Sequence, residues 1–205
     1  MTDLGDSAVT LPLAAFMLLY LLLSRWPRAA VALAVSLAVG GFAIALLKLA
    51  LQSCGYRLLQ TTLINPSGHV AMSTMVYGAL AILLGAGLWG WRRWAVYGAF
   101  GLLIVAIALS RPILHAHNPE EVVAGFLVGL GAVAIFWRLQ GPVLPGGLRV
   151  SRLAVVALLL IAAMHGSRWP IEEQIRNMVA LIQAGVPQCA LLAGPPGHST
   201  VLSGL

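Results

Sequence analysis

Ser110-Arg111-Pro112-Ile113-Leu114-His115-Ala116-His117-Asn118-Pro119-Glu120-Glu121 stands between two uncharged apolar runs, residues 94–109 and 122–137. Such runs suit helices that cross a bilayer, and the polar stretch between them suits a turn at the water interface. Asn118 reads as the N-cap of the second helix and Pro119 as its first residue. Glu121 falls at the third helical position, where its carboxylate can close a capping box. His117 then lies just outside the helix. Working outward, further apolar runs at 9–23, 29–47, 70–88 and 153–164 bring the total to six. Several are shorter than the ~20 residues a spanning helix usually needs. The chain of 205 residues is 60% hydrophobic and 9% charged, well outside the range of soluble domains. These features predict an all-α protein, a polytopic membrane helical bundle with about six transmembrane helices.

Six spans place alternate loops on alternate faces. Arg25, Arg28, Arg92, Arg93, Arg138, Arg149 and Arg152 then share one face without an acid, and the positive-inside rule makes that face cytoplasmic. Lys48, Arg57, Arg111, Arg168 and Arg176 share the other with Asp3, Asp6, Glu120, Glu121, Glu172 and Glu173, so both termini are expected on the outer side. The net charge of +6 does not point to nucleic acid, because the arginines sit in short loops beside apolar spans rather than on one basic surface. With Asp3 and Asp6 and no basic residue before it, the first run reads as a retained span, not a cleavable signal peptide.

One domain is expected over residues 1–186, with its core at about 48–129 and an interfacial helix at about 171–183. Ile171, Ile175, Met178, Val179 and Ile182 share a face of that helix, and Trp169 can anchor it among headgroups. The Gly/Pro/Ser-rich tail at 187–205 has no period and is expected to be mobile. Ser36 with Gly40, and Gly125 with Gly129, have the spacing that lets helix backbones approach closely. Cys54 and Cys189 form neither C-x-x-C nor a Cys/His metal spacing, so no metal or other cofactor is expected. Both cysteines fall on the outer face, where a disulfide between them is left open.

A second polar cluster, Pro66-Ser67-Gly68-His69, opens the run at 70–88 on the same expected face as residues 110–121. Together the two clusters hold two imidazoles, a guanidinium, a hydroxyl and a carboxylate, the groups a metal-free phosphoryl transfer needs. Each has a plainer reading. Pro-Ser-Gly makes turns, Lys48 and Arg111 can snorkel from helix ends, and Glu121 can serve as a cap alone. His115 is read as lining the pocket, and His198, in a Gly/Pro tail without a partner arginine, as having no role.

Those clusters resemble the signature of the type 2 phosphatidic acid phosphatase superfamily, the lipid phosphate phosphatases related to vanadium haloperoxidases. Its parts are K-x6-R-P, P-S-G-H and S-R-x5-H-x3-D. The second part is intact, and the third is intact up to Glu121, which stands for aspartate. In the first part Lys48 matches, but Gly55 and Tyr56 stand where Arg-Pro should follow, with Arg57 two positions late. The resemblance covers about residues 48–129, and the six-span layout is similar to that of the bacterial membrane members. It implies that His117, oriented by Glu121, attacks phosphorus and that His69 protonates the leaving oxygen and later activates water. Lys48, Ser67, Gly68 and Arg111 would bind the phosphoryl oxygens, with Arg57 as a further candidate. The implied partners are a lipid phosphate or diphosphate and the surrounding membrane lipids, in a bacterial inner membrane with the site facing the periplasm. Phosphotransfer to another acceptor and non-catalytic lipid-phosphate binding or transport are the alternatives.

Overall fold

The computed structural model describes residues 2–52, 63–141, 150–164, 166 and 171–185. Arg57, both cysteines, His198, Trp169 and the tail from 186 lie outside the described residues. A 3-10 turn, Thr2–Gly5, leads into helix α1, Ser7–Leu23. Then follow α2, Pro27–Ala50; α3, Gly68–Ala86; α4, Trp91–Ile113; α5, Pro119–Leu139; α6, Val150–Met164; and α7, Ile171–Gly185. All six apolar runs are therefore helical. Among the described residues, four helices, α2 to α5, are long and apolar enough to cross a membrane, and α1 and α6 are apolar but shorter. Most helices overrun their apolar stretches, while α3 starts two residues early and stops at Ala86, two short of the end of its run. In α4 the overrun is at both ends, because Arg92, Arg93 and Arg111 favour a helix almost as well as leucine does.

Helix α3 is the axis of the bundle. Its apolar window is 72% buried, against 17% to 33% for the other three long helices, and it packs against α1, α2, α4, α5 and α6. The outer helices instead present Val31, Phe42, Leu46, Leu102 and Leu127 outward, a surface that hydrocarbon covers without cost.

Each outer helix buries one stripe at helical spacing, and three of those stripes end in a polar residue. In α2 the stripe runs Ser36, Gly40, Ile44, Lys48; in α4, Ile104, Ile107, Arg111; in α5, Phe136, Ala132, Gly129, Gly125, Glu121. The periodicity that aims apolar side chains at the core aims the lysine, arginine and glutamate the same way. Small residues set the helix separations. Gly40 admits the Met75 sulfur, and a methyl there would stand 2.8 Å from Ala132 Cβ; at Gly129 it would stand 2.9 Å from the Ala71 carbonyl. At the opposite end of the bundle, Arg28 Nε donates to the Leu139 carbonyl at 3.1 Å and so caps α5. The arginines of the α1–α2 turn and of the end of α5 therefore gather away from the two polar clusters. Helix α7 packs on α2, with Val179 buried and Ile175 half-buried.

Candidate active site

The end of α4 turns back through a left-handed residue. His115 has φ +53°, its amide donates to the Pro112 carbonyl at 2.9 Å, and the Ala116 amide donates to the Arg111 carbonyl at 3.0 Å. That pair of bonds closes a helix C-terminus where glycine is usual, and it sends the chain back toward the bundle axis. His117 arrives beneath this turn with its side chain only 10% exposed. His115 itself is exposed and lines a cleft of about 390 Å³ together with His117, Asn118 and Glu121.

Glu121 joins the two clusters. Its Oε2 accepts from His117 Nδ1 at 3.0 Å and from the Asn118 amide at 3.1 Å, which closes the capping box expected from the sequence. Its Oε1 accepts from the Asn65 amide at 2.7 Å, and its backbone carbonyl accepts from the Ser67 amide at 2.9 Å. One buried residue thus orients the imidazole, starts α5 and holds the segment before α3. A carboxylate on Nδ1 fixes the proton there and leaves Nε2 with its lone pair.

The Ser67 segment lies directly on α5 at Gly125. A methyl at position 125 would overlap the Ser67 carbonyl oxygen and stand 3.2 Å from its carbon. Gly125→Ala is accordingly expected to destabilise the protein by about 1–3 kcal/mol through overpacking, read as a lower thermal midpoint in detergent. Gly131→Ala, whose methyl meets nothing within 4 Å, is the matched control on the same helix and should not lower it.

Ser67 is fully buried, and among the described residues its hydroxyl has no hydrogen-bond partner. Lys48, 1% exposed, lies against Gly68, where an added Cβ would sit 3.4 Å from its Cε and 3.6 Å from Nζ. These are ordinary contact distances, so the lysine stem packs directly on the start of α3. Arg111 is buried, and its Nε donates to Ser110 Oγ at 3.3 Å, while that hydroxyl donates to the Ile107 carbonyl at 2.6 Å. Arg111, His117 and Asp6 are the charged or chargeable groups acting on the His69 ring, which places that ring within electrostatic reach of the other cluster.

Two hollows meet this cluster. His69, Lys48 and Gly68 line a mostly apolar cavity of about 190 Å³ whose other walls include Leu11, Ile44 and Met72, whereas His117 and Glu121 line the cleft described above. Ser67 and Arg111 line neither. Lys48, Ser67, Gly68, His69, Arg111, His117 and Glu121 are thus brought to one end of the bundle; Arg57 lies outside the described residues. Among the described residues, no three His, Cys, Asp or Glu side chains are grouped to hold a metal ion.

Sequence reading missed Asp6 and Asn65. Asp6 carried one local signal, an acid immediately before an apolar run, which marks an N-cap. Its approach to His69, Oδ2 to Nε2 at 3.3 Å, had none.

Comparison with known proteins bears on the same region. The family model described as the PAP2 superfamily matches residues 29–143. A Klebsiella pneumoniae protein described as an uncharacterized 22.5 kDa protein in the cps region is 30% identical over 185 residues, covering 87% of this chain and 88% of its own. No solved structure matches the chain significantly.

Proposed function

Because the chain belongs to the PAP2 superfamily, we propose that it is an integral membrane lipid phosphatase. It hydrolyses phosphate or diphosphate monoesters of isoprenoid or glycerolipids through a phosphohistidine at His117. The observation that carries this reading is the His117–Glu121 pair at 3.0 Å, tied through Asn65 and Ser67 to the segment that bears Gly68 and His69. The membership and the resemblance read from the motifs agree.

In the first step His117 Nε2 attacks phosphorus and the bond from phosphorus to the lipid oxygen breaks, with His69 giving that oxygen a proton. In the second, His69 takes a proton from water, the oxygen of which displaces His117 and releases phosphate. In-line displacement needs the nucleophile and the leaving group on opposite sides of phosphorus. The two hollows suit that demand, since His117 opens onto one and His69 onto the other. The leaving lipid would then occupy the cavity walled by Leu11, Ile44 and Met72, which favours an apolar alcohol over a sugar or nucleoside. Lys48 and Arg111 supply the positive field for the phosphoryl oxygens without a metal ion, and the buried Ser67 hydroxyl, which has no partner among the described residues, is available as a further donor once a phosphate enters.

The arginine-rich end faces the cytoplasm and the site faces the periplasm of a bacterial inner membrane. The short helices α1 and α6 complete six spans with both termini outside. At 1.5 Å per residue α1 rises about 26 Å, close to the ~30 Å of a hydrocarbon core.

Purified protein in detergent with a chelator is expected to release inorganic phosphate from at least one of phosphatidate, phosphatidylglycerol phosphate, undecaprenyl diphosphate and lipid A phosphate. Labelled lipid distinguishes free phosphate from phosphate moved to another acceptor. Release from none of the four, with or without chelator, would overturn the reading.

A further inference from the structure

The N-terminal turn is built into the site rather than trailing from it. Tyr77, fully buried in α3, donates from its hydroxyl to the Leu4 carbonyl at 2.7 Å. Gly5 is wedged between α4 and α3, where a Cβ would stand 2.8 Å from Ile107 Cγ2 and 3.6 Å from the His69 carbonyl. These contacts make Asp6 part of the wall of the apolar cavity, with its side chain 13% exposed.

The two oxygens of Asp6 divide their work. Oδ1 accepts from the Ala8 amide at 2.9 Å and caps α1, which holds the carboxylate rigid. Oδ2 lies 3.3 Å from His69 Nε2. Lys48 lines the same cavity, and Arg111 and His117 also act on the ring, so an imidazolium at this position needs an anion to balance the positive charge around it.

We propose that Asp6 is a positioning residue for the acid-base step. Resting on the hydrolase reading above, it makes with His69 a second imidazole–carboxylate pair, separate from His117 and Glu121. It holds a proton on Nε2 throughout, so Nδ1 is the nitrogen that works. In the first step the imidazolium passes its Nδ1 proton to the departing alkoxide, and the neutral ring keeps Nε2–H against Asp6. In the second, Nδ1 takes a proton from the attacking water and the imidazolium is restored. Every proton is accounted for, with Asp6 remaining a carboxylate.

Asp6→Asn tests this, because asparagine caps a helix as well as aspartate while lacking its charge. First-turnover release of the leaving group is measured on two phosphate monoesters, one of a long-chain alkyl alcohol and one of p-nitrophenol. The alkoxide needs an acid and the nitrophenolate does not. The expected result is a loss of roughly 10- to 100-fold on the alkyl ester, part of the 10²–10⁴ that general acid catalysis contributes, with less than about threefold on the aryl ester. His69→Ala should show the same selectivity, and adding Asp6→Asn to it should cost nothing more. Equal losses on both esters, no loss on either, or full additivity with His69→Ala would overturn the positioning role. A wild-type protein that cleaves neither ester overturns the hydrolase reading, and the role defined on that reaction goes with it.

Discussion

His117→Ala is expected to reduce phosphate release by roughly 10⁴-fold or more, the scale seen when a covalent nucleophile is removed. Among the described residues, His115 is the neighbouring imidazole, and it is not placed to replace His117. His115 is two residues away, but its left-handed backbone closes the α4 turn and it is exposed at the cleft, while the bond to Glu121 Oε2 belongs to His117. The loss should appear in kcat with little change in fold, since His117 lies in the turn between α4 and α5 and none of the buried helix stripes depends on it. Rapid acid-free quenching of the wild type with labelled substrate should trap an acid-labile, alkali-stable phosphoprotein that His117→Ala does not form. His198→Ala, in the C-terminal tail, should behave as wild type. Equal activity in the two variants would sink the assignment of the nucleophile, and a labelled His117→Ala protein would move it to another residue.

Much of this was legible in the chain because one physical rule serves both core and site. The i, i+4 spacing that buries Ser36, Gly40 and Ile44 continues to Lys48, and the spacing that buries Gly129 and Gly125 continues to Glu121. The Ser36–Gly40 and Gly125–Gly129 pairs were visible as close-packing spacings, whereas the continuation of those stripes to Lys48 and Glu121 emerges from the packed helices. The α5 start was equally local: cap, proline and third-position acid lie within four consecutive residues. What was not legible depends on packing between distant segments. Asp6 reaches His69 only because Tyr77 and Gly5 seat the first turn on α3 and α4. Nothing in the order of residues announces that a carboxylate will cross a gap of that length. The left-handed backbone at His115 was hidden for a different reason, since a non-glycine residue there gives no turn signal. The lengths of α1 and α6 show a third limit. Apolar runs locate helices well, but whether a short one crosses depends on how the neighbours tilt and on the lipid.

Glu121→Gln should cost about 10²- to 10⁴-fold in turnover, while Glu121→Asp should retain more activity than glutamine does, although glutamine preserves the length. The reason lies in the donor count. Glu121 receives three N–H donors on two oxygens: Asn65 on Oε1, and Asn118 and His117 on Oε2. Glutamine offers one oxygen and one NH₂, so in either orientation at least one buried amide faces a donor, at about 1–3 kcal/mol. If the NH₂ takes the Oε2 position, His117 can satisfy it only by accepting at Nδ1, which moves its proton to Nε2 and removes the lone pair that attacks phosphorus. That is a tautomer defect, and in a catalytic triad the corresponding aspartate-to-asparagine change lowers kcat by about 10⁴. Should the amide sit the other way, the oxygen stays on His117 but without full charge, and the Asn65 contact fails, loosening the segment that carries Ser67. Aspartate keeps the charge and loses a methylene of reach, so it can serve His117 or Asn65 but not both, and a loss of about 10- to 100-fold follows, as for other second partners of a working histidine. Measured turnover should therefore order Glu, Asp, Gln from highest to lowest. A glutamine variant within threefold of wild type would mean that the capping role is the whole of what Glu121 does, and that His117 needs no anion to hold its tautomer.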